Sequence, residues 1–186
     1  MSTFCVYLGS RTGNDPAFLD AARQLGDELA ARGHSLVYGG ARVGMMGALA
    51  DRVMAAGGEV TGVMPDHLVE REQAHRGLTR LLRVRNMHER KASMAAHSDA
   101  FIALPGGIGT LEELFEAWTW QYLGLHDKPI GLLDTQGFYT PLLTFLDGTV
   151  ERGFLDPATR ANLIDATTPA GLLDALEQRL TPSHAD

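Results

Sequence analysis

Short apolar runs alternate along the chain with longer stretches whose apolar positions repeat at helical spacing. The runs FCVYL (4–8), SLVY (35–38), EVTGVM (59–64), TRLLRVR (79–85), AFIAL (100–104), PIGLL (129–133) and NLID (162–165) predict strands. Between them, residues 16–32, 44–56, 86–97, 110–123, 138–151 and 169–180 predict helices. Strands this short, separated by helices this long, build right-handed βαβ units and so a parallel sheet. The expectation is one doubly wound, Rossmann-like α/β domain over residues 1–186, with a mainly parallel sheet of about seven strands and residues 181–186 as a flexible tail. Residues 65–77 are the least periodic and predict an irregular excursion.

Composition narrows the classes. At 186 residues and 45% hydrophobic, the chain can bury one substantial core. No apolar run reaches the length of about 18 residues that a membrane span needs, and the opening MSTFCVYLGS has neither a charged n-region nor a cleavage site. The expectation is a cytoplasmic protein without a membrane partner. A formal charge of −7 argues against general nucleic-acid binding but leaves room for a local anion site. Cys5 is the single cysteine, so it reads as buried strand filler. The seven histidines show no HExxH spacing, and neither a metal nor another cofactor is expected.

In doubly wound folds ligands bind beyond the carboxyl ends of the strands. Three loops running from a strand into a helix are rich in glycine: residues 9–13, 39–44 and 106–110. Glycine permits positive φ and lets a ligand approach the backbone, while a helix N-terminus offers unpaired N–H groups to phosphate. Three such loops together suggest an anion of nucleotide size.

The stretch ALPGGIGTLEELFEAWTW (103–120) divides accordingly. Pro105 ends a strand, Gly106, Gly107 and Gly109 form an anion-cradling loop, and Thr110 with Glu113 fits a T-x-x-E capping box. Glu113 is therefore either a capping residue or a working carboxylate. Glu112 is a first-turn acid in its own right. Leu111, Leu114, Phe115, Trp118 and Tyr122 form the predicted core face, while Glu112, Glu116 and Thr119 share another. In RNMHERKASM (85–94), Asn86 and Glu89 fit a second capping box, and Met87, Arg90 and Met94 lie on one stripe. An arginine on an apolar stripe costs desolvation unless an anion meets it, whether a bound ligand or a structural acid. Arg80, Arg83 and Arg85 read as solvated surface.

PGGIGTLEE (105–113), with MHERK (87–91) and YGGARVGMMG (38–47) upstream, resembles the LOG (lonely guy) family of cytokinin riboside 5′-monophosphate phosphoribohydrolases. The resemblance extends through VYLGS (6–10), SDAFIALPGG (98–107), HDKPIGLL (126–133) and ERGF (151–154). Ile108 stands where the family often has tyrosine, and Leu8 where it often has cysteine. The resemblance implies hydrolysis of the N-glycosidic bond of a nucleoside 5′-monophosphate, with Arg90 and Glu113 as the catalytic pair. It also implies substrate contacts from Glu72, Lys91, Gly106, Gly107, Ile108, Gly109, Thr110, Leu111, Glu112 and Thr119. It further implies a homodimer with the pocket near the interface.

The chemistry suits these residue types. Cleavage of a ribosyl C–N bond passes through an oxocarbenium-like state that a carboxylate stabilises, and Arg90 can donate a hydrogen bond to the departing base. Three other readings compete. A pyridoxal-phosphate decarboxylase needs a Schiff-base lysine, and the chain has only Lys91 and Lys128. A dinucleotide oxidoreductase would use Gly39, Ala41 and Gly44 as a GxAxxG variant with Glu59 downstream, but Glu59 precedes a strand instead of ending one. A non-catalytic nucleotide or molybdopterin-type carrier is the non-enzyme alternative, since a phosphate loop binds without turning over; Arg90 and Glu113 favour catalysis.

Overall fold

The computed structural model describes residues 1–69 and 73–180. All seven predicted strands are present: β1 (Thr3–Tyr7), β2 (Ser35–Tyr38), β3 (Val60–Pro65), β4 (Arg80–Val84), β5 (Ala100–Ala103), β6 (Ile130–Leu133) and β7 (Leu163–Ala166). The helices are α1 (Pro16–Ala31), α2 (Gly44–Ala55), α3 (Met87–Ala96), α4 (Ile108–Tyr122), α5 (Thr140–Glu151), α6 (Pro157–Ala161) and α7 (Pro169–Leu180). The strands form one sheet in the order β4-β3-β2-β1-β5-β6-β7, and each neighbouring pair is parallel. From β1 the chain winds outward to β4, then returns to place β5 against the other side of β1. The direction of winding reverses between those two strands.

Alternation along β1 shows how the sheet divides the core. Phe4 and Val6 pack among residues of α1, α2 and α7, such as Leu25, Leu49 and Leu172. Cys5 and Tyr7 face the opposite layer, with Met94 of α3, Leu114 and Trp118 of α4 and Leu143 of α5. Both faces of the sheet are thus covered, as a doubly wound parallel sheet requires. Each large apolar side chain buried in these layers contributes about 1.5–3 kcal/mol of transfer free energy. β4 is one of the two edge strands, and Arg80 and Arg83 on it are exposed, in keeping with their solvated reading.

Three local readings change. The T-x-x-E pattern placed the start of α4 at Thr110, but the helix begins at Ile108 with Gly107 as N-cap, and no side chain caps it. Tyr122, predicted to lie in the core, is 63% exposed because the last turn of α4 projects from the layer in which Leu114, Ala117 and Trp118 are buried. The short α6, capped by Asp156 and opened by Pro157, falls in a stretch that the helical pattern left blank. Residues 65–77 are irregular where described: a single 3-10 turn spans Asp66–Leu68, and Ala74 makes an isolated bridge to Ala41. No helix among the described residues is long and apolar enough to cross a membrane.

Candidate active site

A cleft of about 570 Å³ opens at the carboxyl ends of β1 and β5, where the winding reverses. The β1–α1 loop lines it with Leu8, Gly9, Ser10, Arg11, Gly13 and Asn14, and the β5–α4 segment with residues 105–110. These two loops are joined by a hydrogen bond in which the Gly9 N–H donates to the Pro105 carbonyl, 3.2 Å.

None of Gly106, Gly107 and Gly109 has positive φ, so backbone freedom does not explain them. At Gly106 the reason is close packing: a Cβ would collide with the Thr110 hydroxyl and lie 2.6 Å from Thr110 Cβ and 2.9 Å from Gly9 N. At Gly107 and Gly109 a Cβ would meet nothing within 4 Å and would fill open space beside the first-turn amides. The N–H groups of a first helical turn have no intrahelical acceptor, and here no side chain covers them. The start of α4 is therefore open to an anion. The N-terminus of α1 is not, because the Asp15 carboxylate accepts from Ala17 N at 2.8 Å. The glycines of the β2–α2 loop do not line the cleft, but Met45 and Met46 in the first turn of α2 do, and no side chain caps that helix either.

What the β2–α2 loop does is hold Arg90. This residue lies on α3, whose N-terminus forms as its capping pattern predicts: Asn86 Oδ1 accepts from Glu89 N at 2.9 Å, and Glu89 reaches back to Arg85 N at 2.9 Å. Arg90 is only 5% exposed. Its Nε donates to the Val63 carbonyl at 3.0 Å and its Nη2 to the Gly39 carbonyl at 2.7 Å. A side chain at Gly39 would collide with the guanidinium, so that glycine makes room for an arginine and not for a dinucleotide. Arg90 and Glu113 line the same cleft. Burial pushes the Tyr7 hydroxyl well above its ordinary pKa, and the negative charge of Glu113 adds to the shift.

Other predicted residues lie elsewhere. Lys91 Nζ bonds to Glu112 Oε1 at 2.5 Å and Glu116 Oε2 at 2.8 Å, tying α3 to α4. Burial disfavours its charge, and the two carboxylates more than offset this, raising its pKa. The Thr119 hydroxyl is exposed and donates to the Phe115 carbonyl of its own helix at 2.6 Å. Lys91, Leu111, Glu112 and Thr119 are not among the residues lining the cleft. Glu72 and the 181–186 tail lie outside the described residues.

The cleft adds apolar residues that had been given no role: Phe18 and Phe138, which lie outside the motifs, and Met45 and Met46, which lie within YGGARVGMMG. Phe138 is placed by Asp134, whose carboxylate accepts from the N–H groups of Tyr139 and Thr140 and from the Thr140 hydroxyl. Ser10 and Arg11 were within reach of sequence reasoning, since they sit in a loop singled out for its glycines. Both lysines are engaged away from the cleft, Lys128 donating to the Ala95 carbonyl at 2.6 Å. No cluster of potential metal ligands occurs among the described residues.

Comparison with known proteins accords with this geometry. A family model described as possible lysine decarboxylase matches residues 46–176. A cytokinin riboside 5′-monophosphate phosphoribohydrolase of Arabidopsis thaliana is 52% identical over 151 residues, spanning 81% of this chain and 71% of that protein. A second from the same plant is 50% identical over 151 residues, with 81% and 70% covered. Among solved structures, the molybdenum cofactor binding protein of Rippkaea orientalis has a TM-score of 0.73 over 97% of this chain and 98% of its own, at 23% identity, a likeness of fold alone. Identity of one residue in two across four-fifths of the chain goes well beyond a shared fold, and the chain belongs to the LOG family, whose model bears the older description of a possible lysine decarboxylase.

Proposed function

We propose that this protein hydrolyses the N-glycosidic bond of nucleoside 5′-monophosphates, AMP and cytokinin riboside 5′-monophosphates among them, to free base and ribose 5-phosphate. The observation that carries the reading is the meeting, in one cleft, of the open N-terminus of α4 with Arg90 and Glu113. Phosphate binds the first-turn amides of α4. Glu113 lies three residues, about 4.5 Å, further along the axis than Thr110, a step on the scale of a ribose ring. Its carboxylate stabilises the positive charge that develops at C1′ and orients the attacking water. The water oxygen bonds to C1′ as the C1′–N bond breaks, and the water proton ends on the base. Arg90 stays charged throughout and donates a hydrogen bond to the departing base. The apolar wall of Phe18, Met45, Met46 and Phe138 suits a purine and an apolar substituent on it.

The membership of the chain in a family of named phosphoribohydrolases supports the same chemistry. We further propose a homodimer with the cleft near its interface, in the cytoplasm, where nucleoside monophosphates are found. Free adenine released from AMP, followed beside isopentenyladenosine monophosphate, tests the reaction. The monophosphate is cleaved and the bare nucleoside hardly at all; comparable kcat/KM for adenosine and AMP would sink the phosphate assignment.

A further inference from the structure

We infer that Arg11 is a further substrate-binding residue, the cation that closes over the phosphate held on the first turn of α4. The inference rests on the hydrolase reading of the same cleft. Arg11 lines the cleft from the β1–α1 loop, is exposed, and makes no hydrogen bond or ion pair with a described residue.

The backbone beneath it is fixed. Gly9 is bonded to Pro105, and a Cβ on Gly9 would lie 3.3 Å from Gly106 Cα, so the loop rests directly against the anion-binding segment. On its other side the loop meets the start of α2. Gly44 has φ +59°, and a Cβ there would collide with the Ser10 carbonyl and lie 3.0 Å from Arg11 N. The guanidinium therefore swings from an anchored Cα at the rim of the cleft.

Charge sets the need for it. A phosphate monoester carries a charge of about −1.5 to −2 at neutral pH, whereas a helix N-terminus supplies roughly half a positive charge. Among the described residues, the charged side chains lining the cleft are Arg11, Arg90 and Glu113. Arg90 is held by two main-chain carbonyls, and Glu113 carries the wrong sign for the phosphate. Arg11 is the cation free to move to the anion, and its planar fork matches two phosphate oxygens.

The test uses the full chain with Arg11→Ala and Arg11→Lys, both at a solvent-exposed position. Calorimetry reads the affinity for ribose 5-phosphate and, separately, for adenine; steady-state kinetics read KM and kcat for AMP. Arg11→Ala weakens ribose 5-phosphate binding about tenfold and raises KM for AMP by a similar factor with kcat held, while adenine affinity is unchanged. Arg11→Lys recovers part of the loss. Unchanged affinity for ribose 5-phosphate, or an equal loss for adenine, overturns the inference. Should the wild type bind ribose 5-phosphate through Arg11 yet release no adenine from AMP, the clamp stands and the hydrolase reading falls.

Discussion

A buried guanidinium needs acceptors, and among those of Arg90 are the carbonyls of Val63 and Gly39. Both are main-chain atoms, one within β3 and one just past β2. The pairing fixes the cation at the cleft. Arg90→Ala and Glu113→Gln are each expected to lower kcat/KM for AMP by about 10²–10³, the usual effect of losing a charge-stabilising group. The two differ in stability. Arg90→Ala also leaves buried carbonyls without their donor, at about 1–3 kcal/mol, whereas Glu113→Gln leaves the melting temperature near that of the wild type. Because α4 begins at Ile108, Glu113 is not a capping residue, and even Glu113→Ala forgoes the loss of about 1 kcal/mol that a broken capping box would bring. Near-normal turnover by Glu113→Gln would remove this carboxylate from the chemistry. The capping box was misread for a physical reason. Thr110 satisfies the pattern, but the extended backbone of Gly107 and the tight contact between Gly106 and Thr110 draw the threonine inside the helix, where it is buried.

At the scale of elements, α3 and α4 are joined by Lys91 between Glu112 and Glu116. Arg90 is the preceding residue on α3, and Glu113 follows Glu112 on α4, so this pairing sets the spacing of the proposed catalytic groups. Lys91→Met is expected to cost about 1–2 kcal/mol, the lower end reflecting the exposure of Glu112, and to lower the melting temperature by about 2–8 °C. It should reduce kcat more than it raises KM, as befits a positioning residue that does not line the cleft. A rise in KM alone would instead make Lys91 a direct substrate contact, as the family resemblance implies. The α3 capping box was legible because its signal is local: Asn86 and Glu89 act within one turn. Phe138 was not legible, since its place in the cleft depends on a turn tied by Asp134 and on Phe18 from a helix far away in sequence, 6.0 Å between ring centroids.

Across the whole molecule, short apolar runs and βαβ spacing carried the sheet and its two layers, because burial on both faces makes each strand a dense apolar run. The strand order was beyond that pattern: the place where the winding reverses is set by packing between distant segments. The proposed dimer belongs to this scale. Leu125, just beyond α4, is 70% exposed, as are Tyr122 and Leu123 beside it to 63% and 61%, a grouping of apolar side chains that a partner would cover. Light scattering is expected to give twice the chain mass, and Leu125→Glu a larger monomer fraction; a wild-type monomer at assay concentration would end the proposal. The carbonyl clamp on Arg90 bears on how this protein tolerates change over generations. Main-chain acceptors survive the exchange of one apolar side chain of similar size for another at the buried Val63, so such drift there leaves the arginine in place. An insertion or deletion in β2 or β3 is another matter. It shifts the register of the strand and turns the needed carbonyl away, so the proposed catalytic centre is far more vulnerable to a change in strand length than to a change in strand composition.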